Sequence, residues 1–167
     1  MKESRRSNWE TFWDEKKEVR EVYSNSDRIV RNLSKTIDLK GKKILEVGAG
    51  TGRDSFPLVG RGAQVYQLDY SINSLKIMKR LAEEEKISVL ILGGDTFCLP
   101  FRDETFDIVF HQGLLEHFRP QQAEALLKEN IRILKRGGLL LVDVPQRYHI
   151  YTIIKHFLIA IDKWFAG

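Results

Sequence analysis

The stretch Lys43–Asp54, KILEVGAGTGRD, constrains this chain more than any other. Ile44, Leu45 and Val47 make the apolar run expected of a strand covered on both faces, as in a parallel sheet. The run leads directly into Gly48, Gly50 and Gly52, which let the backbone turn sharply and approach a ligand closely. A side chain at any of the three is expected to occupy the ligand's space.

The turn departs from the dinucleotide fingerprint G-x-G-x-x-G, because Arg53 stands at the sixth position and Glu46 lies two residues before the first glycine. A pyrophosphate favours a helix N-terminus without a nearby carboxylate, so a nicotinamide dinucleotide fits poorly. S-adenosylmethionine has no phosphate and carries a sulfonium, which suits an acidic neighbour. The next predicted strand, Gln64–Leu68, ends at Asp69, 21 residues beyond Gly48. At that separation an acid on the neighbouring strand meets the two ribose hydroxyls of a nucleoside held at the first turn. Asp69 could instead cap the helix that begins at Ser71.

Periodicity supplies the remaining elements. Between Asn8 and Leu39, apolar positions such as Trp9, Phe12, Trp13, Ile29, Val30 and Leu33 fit two helices broken near Ser24–Ser26, with Ser26 available as a cap. Helices are predicted at Thr51–Val59, Ser71–Lys86 and Pro120–Lys135, the last stopped by Gly137-Gly138. Strands are predicted at Ile87–Leu92, Thr105–Phe110 and Leu139–Val144. Strands alternating with helical crossovers predict an α/β, doubly wound parallel sheet of five strands.

Four motifs in this order, spanning roughly Lys42 to Pro145, resemble those of the class I S-adenosylmethionine-dependent methyltransferases of the small-molecule, type 11 kind. They are the glycine turn, Asp69, the Asp95-Thr96 pair followed by Leu99-Pro100-Phe101, and Phe106-Asp107 leading to HQGLLEHF. The resemblance implies a Rossmann-like core and cofactor contacts at Glu46, Gly48, Ala49, Gly50, Gly52, Asp69, Tyr70, Asp95, Thr96, His111 and Gln112. In it, Asp95 accepts from the adenine amino group, the Thr96 N–H donates to the ring, and the backbone near His111 and Gln112 faces the methionine part. Glu116-His117 echoes a family E-H pair. His117 is the candidate general base for deprotonating an acceptor, or else a histidine that fixes its loop. The N-terminal helices cover the cofactor in the family, so Trp9, Phe12 and Trp13 either form an aromatic lid or pack on the sheet domain.

The implied activity is methyl transfer from S-adenosyl-L-methionine to a small-molecule acceptor, leaving S-adenosyl-L-homocysteine. The rivals are a cofactor-binding protein without catalysis and a nicotinamide-dependent oxidoreductase. With 167 residues, one domain is expected: a helical cover over 1–40, a Rossmann-like core over 41–145 and an apolar helix over 146–167. The family's closing antiparallel hairpin is missing from this layout, as in a truncated chain. Otherwise the apolar C-terminal helix is expected to cover the sheet edge, pair with a second copy or rest on a membrane surface, and self-association is expected through the region from Leu139 to Phe165. The net charge of +4 comes from scattered residues and forms no nucleic-acid stripe. The lone Cys98 allows no internal disulfide, and no signal peptide, spanning segment or metal-ligand cluster is evident, so a cytoplasmic protein is expected.

Overall fold

Strand β1, Lys43–Val47, buries Ile44, Leu45 and Val47 completely, as a doubly covered strand must. Each such side chain contributes about 1.5–3 kcal/mol of transfer free energy. The structure, a computed structural model, describes residues 5–16, 24 and 26–144. The helix expected over 146–167, and most of the region expected to self-associate, lie outside the described residues.

The elements follow in the order α1 (Arg6–Glu15), α2 (Ser26–Thr36), β1, α3 (Phe56–Val59), β2 (Gln64–Asp69), α4 (Ile72–Glu84), β3 (Leu90–Gly93), β4 (Phe106–Gln112), α5 (Pro120–Ile133) and β5 (Leu134–Asp143). A short 3-10 turn, Leu115–His117, follows β4. The five strands form one sheet of order β3-β2-β1-β4-β5, and every pairing is parallel. This is the α/β doubly wound sheet expected from the alternation of strands and helices. On one face Ile29, Val30 and Leu33 of α2 and Leu58 of α3 pack with Ile44, Val65 and Phe110. On the other, Ile133 of α5 packs with Leu45, Val47, Leu68 and Val109.

Strand β3 begins at Leu90 rather than Ile87 and β4 runs on to Gln112, but two boundaries differ more from the expected ones. The first crossover helix is only Phe56–Val59, because Pro57 sits in its first turn and residues 51–55 form turns bonded to Gln67. The α5 helix stops at Ile133, before Gly137-Gly138, because Leu134 is captured by pairing with Phe106. The pairing then jumps to Ile108 with Leu139, so residues 135–138 bulge out, with Gly137 at φ +73°. Lys135 reaches back across this bulge to Asp107 at 2.9 Å. The glycines expected to end a helix thus serve a bulge within a longer strand.

Candidate functional site

The chain order reverses between β1 and β4, and a cavity of about 360 Å³ opens there, at the carboxyl ends of the strands. Each strand end contributes: Glu46 and the glycine turn from β1, Asp69 and Tyr70 from β2, Gly94–Phe97 after β3, and Gln112–Leu114 from β4. Trp9, Phe12 and Trp13 of α1 close it from outside, joined by Phe118.

Asp69 ties the site together. Its Oδ2 accepts from the N–H of Gly50 at 2.9 Å, and its Oδ1 accepts from the N–H of Ser71, also at 2.9 Å. Ser71 caps α4 by accepting from the Ser74 N–H, and the Ser74 hydroxyl donates to the Gly50 carbonyl at 2.7 Å. One carboxylate therefore joins the glycine turn to the start of α4 and still keeps lone pairs for a ligand. Asp69 lines the cavity and supports the cap residue Ser71, and it is not itself the cap of α4. Burial pushes its pKa up, against the donations from Ser71 and Gly50.

The glycines are also closed in by the protein itself. A Cβ at Gly48 would lie 2.9 Å from Leu114 Cδ1, one at Gly50 would lie 2.7 Å from the Trp13 ring, and one at Gly52 would lie 2.5 Å from Gln67 Nε2. The space that a side chain would take belongs first to the protein's own side chains. Gly50, at φ +57°, is also in the left-handed region that a valine resists.

The cavity wall carries four carboxylates, Glu46, Asp54, Asp69 and Asp95, and among the described residues no lysine, arginine or histidine lines it. Glu46 is buried, and burial, reinforced by the charges of Asp54 and Asp69, holds its pKa well above the ordinary range. Its Oε2 has no partner within the protein. Asp54 accepts from the Ser24 hydroxyl at 2.6 Å and from the Gln112 side-chain amide. Asp95 Oδ1 accepts from the Phe97 N–H at 2.9 Å, and the buried Thr96 hydroxyl beside it is unpartnered within the protein. Unsatisfied acceptors in a concave site mark places where a ligand can donate.

Of the residues expected at the cofactor, Glu46, Gly48, Ala49, Gly50, Asp69, Tyr70, Asp95, Thr96 and Gln112 line this cavity, while Gly52 and His111 do not. Gly52 is packed against Gln67, whose Nε2 donates to its carbonyl at 2.7 Å. His111 is fully buried, neither ring nitrogen has a partner within the protein, and burial depresses its pKa to about 4. It is a neutral side chain within the sheet layer. His117 also lies off the cavity wall, its ring edge-to-face with Trp9 at a centroid separation of 4.9 Å. The wall also holds Thr51, Asp54, Leu68, Gly94 and Phe97, none of them expected as a contact, and Gly113, Leu114 and Phe118, which fall within the HQGLLEHF stretch. The helical spacing of Trp9, Phe12 and Trp13 and that stretch were the usable clues to the outer wall.

A family profile described as a methyltransferase domain matches residues 45–142. Among curated proteins, the demethylmenaquinone methyltransferase of Renibacterium salmoninarum is 38% identical over 103 residues, covering 61% of this chain and 40% of that protein. The chain spans less than half the length of such relatives, 46% for the Paenarthrobacter aurescens enzyme. Among solved structures, magnesium protoporphyrin IX methyltransferase from Synechocystis PCC 6803, with bound SAH, superposes with a TM-score of 0.57 at 25% identity, over 62% of this chain and 48% of that one. The [4+2]-cyclase SpnF superposes with a TM-score of 0.61 at 26% identity, over 70% of this chain and 43% of its own.

Proposed function

The chain belongs to the methyltransferase domain family, and on that premise we propose that it binds S-adenosyl-L-methionine in the cavity beyond β1 and transfers its methyl group to a small-molecule acceptor. The observation that carries this reading is the charge of the wall, with four carboxylates and, among the described residues, no cationic side chain. Such a wall repels a pyrophosphate and favours a ligand that carries positive charge and many hydroxyl and amino donors. The nicotinamide reading is correspondingly disfavoured.

The residues fit the cofactor by their chemistry. The spare acceptor capacity of Asp69 suits the ribose, Asp95 and Thr96 suit the adenine, and Glu46 offers an unpartnered oxygen to a cationic or donor group. When bound, the cofactor supplies an electrophilic methyl carbon. The chain's own contribution is placement: the glycine turn fixes one end of the ligand, and the aromatic wall excludes water from the acceptor's approach. Acceleration then comes from alignment, without a covalent intermediate on the enzyme.

For the acceptor we propose an apolar aromatic molecule, because Trp9, Phe12, Phe97 and Phe118 form the outer wall. Several relatives are named for demethylmenaquinone, which is of that class. His117, held against Trp9, is assigned the loop-fixing role, with deprotonation of the acceptor as the alternative that its substitution tests. The same fold also carries a protein named a [4+2]-cyclase, so the second reading kept is a cofactor-binding protein without methyl transfer.

The test pairs calorimetric titration of S-adenosylmethionine, S-adenosylhomocysteine and NAD with a labelled-methyl assay on a demethylated naphthoquinol. Binding of the first two with no heat from NAD supports the cofactor assignment, and transfer of label supports the enzyme. Tight binding of NAD alone would overturn both, whereas cofactor binding with no label in any aromatic acceptor would favour the non-transferring reading.

A further inference from the structure

The side chain that holds the cover in place lies outside the cavity. Glu10 of α1 reaches the start of α4, 62 residues along the chain, where its Oε1 accepts from the Ile72 N–H at 2.8 Å. Its Oε2 accepts from the Ser71 hydroxyl at 2.9 Å and from the Asn73 N–H at 3.1 Å. The Asn73 side-chain amide returns a bond to the Glu10 carbonyl at 3.1 Å. The first N–H groups of a helix have no partner within it, and a carboxylate there gains from both hydrogen bonds and the helix dipole. Ser71 covers the next amide, Ser74, so Glu10 completes a cap that α4 cannot make alone.

That cap adjoins the site already described. Ser71 donates to Asp69, and the Ser74 hydroxyl bonds the carbonyl of Gly50. One turn along α1 from Glu10, Trp13 presses on Gly50 so closely that a Cβ there would lie 2.7 Å from its ring. Trp13 and Ile77 are the buried members of the small apolar cluster between α1 and α4, with Trp9 and Leu81 beside them. The polar cap adds charge-assisted hydrogen bonds at the end of this apolar contact. Although partial burial opposes ionisation, the Ile72 and Asn73 N–H groups, the Ser71 hydroxyl and Arg6 hold the Glu10 pKa down at about 2.

We propose that Glu10 is a positioning residue, a latch that fixes α1 on the start of α4, keeps Trp13 on the glycine turn and sets the rate at which the cofactor enters and leaves. The proposal rests on the cofactor reading above. A ligand seated between Gly50, Asp69 and the α1 aromatics leaves freely only when α1 lifts, and α1 lifts only when the Glu10 bonds to Ser71, Ile72 and Asn73 break.

The experiment compares the wild-type chain with Glu10→Ala and Glu10→Gln. Ala is at least as good a helix former as Glu, so loss of α1 structure through propensity is controlled. Three measurements are made: amide exchange at Ile72 and Asn73, amide exchange in β1, and stopped-flow dissociation of S-adenosylhomocysteine. In Glu10→Ala, the Ile72 and Asn73 amides are expected to lose protection while β1 keeps its own, and dissociation is expected to speed up by roughly ten- to a hundredfold, the scale of a lost charge-assisted hydrogen bond. Glu10→Gln, which keeps one acceptor oxygen, is expected to fall between. An unchanged dissociation rate in Glu10→Ala overturns the latch, as does unchanged protection at Ile72 and Asn73. Should Glu10→Ala also lose protection in β1, Glu10→Gln decides by the same two readouts. A wild-type chain that binds no S-adenosylhomocysteine overturns the cofactor reading and the latch with it, whereas binding with an unchanged rate overturns the latch alone.

Discussion

The two walls of the cavity are built in different ways. The inner wall, from Glu46 to Gly50 and at Asp69, hangs on the two central strands: the Ala49 N–H bonds the Leu68 carbonyl at 3.0 Å, and Asp69 receives the Gly50 N–H. The outer wall, chiefly α1, is held by side chains, namely the Glu10 cap, Trp13 over Gly50 and Trp9 against His117. Backbone bonds inside a sheet are hard to break one at a time, whereas a cover docked through a few side chains can open locally. The difference suits a site in which one partner stays fixed while cofactor and product pass.

The contrast predicts that damage to the inner wall costs most. Gly50→Val is expected to abolish cofactor binding, since it forces a branched residue to φ +57° and drives its Cβ into Trp13, which disturbs both walls at once. Calorimetry with S-adenosylhomocysteine checks this, and an affinity near that of the wild type would mean that the ligand lies elsewhere. Asp69→Ala is expected to follow. It loses about 1.5–3 kcal/mol of cofactor affinity and, because the Gly50 and Ser71 amides lose their acceptor, a further 1–3 kcal/mol or so of stability. A denaturant titration beside the binding assay separates the two losses. If stability fell and affinity did not, Asp69 would serve only to support the cap.

The inner wall was largely legible in the sequence, whereas the outer wall was legible only in its aromatic residues Trp9, Phe12 and Trp13 and not in what holds them. A strand that feeds GAGTG has few ways to turn, and an acid at the end of the next strand is brought beside it by parallel pairing, so Glu46, Gly50 and Asp69 could be placed from spacing. Asp95 and Thr96 were reached only through the family pattern. Glu10 could not be found, because nothing local connects it with Ile72 and Asn73, and one acid among many on a charged helix looks like a solvated face. At His111 the expectation concerned the backbone beside Gln112, and strand alternation, which turns successive side chains to opposite faces, sends the histidine's own side chain into the layer. The bulge at Gly137-Gly138 was missed because glycines end helices and permit bulges by the same freedom of φ.

A subtler difference concerns protons on the inner wall. Without a ligand the pKa of Glu46 is held well above the ordinary carboxylate range, chiefly by burial and then by the charges of Asp54 and Asp69, and a cation beside it favours the ionised form. Binding of S-adenosylmethionine then releases a proton, so its affinity is expected to rise with pH until the pH passes the ligand-free pKa of Glu46, by no more than about tenfold per unit. S-adenosylhomocysteine lacks the sulfonium charge and is expected to show a shallower rise. Titrations between about pH 6 and 8 measure both slopes. Glu46→Gln is expected to make them equal, and parallel slopes in the wild type would remove Glu46 from contact with the charge.

The smallest effect is expected at the far edge of the outer wall. His117 touches Trp9 through its ring edge and does not line the cavity, so its replacement alters the support of an aromatic side chain and leaves the reacting groups in place. His117→Gln is expected to change kcat by less than about tenfold, since one edge-to-face aromatic contact is worth about 0.5–1.5 kcal/mol, and to leave the shape of the pH–rate profile unaltered. A general base in that position predicts the reverse. Its removal would flatten the acidic limb, because the rate would no longer follow deprotonation of an imidazole near neutrality. The profile of kcat/KM for wild type and variant, measured with one aromatic acceptor, distinguishes a prop for Trp9 from a catalytic histidine, and a flattened acidic limb would move His117 from the cover into the chemistry.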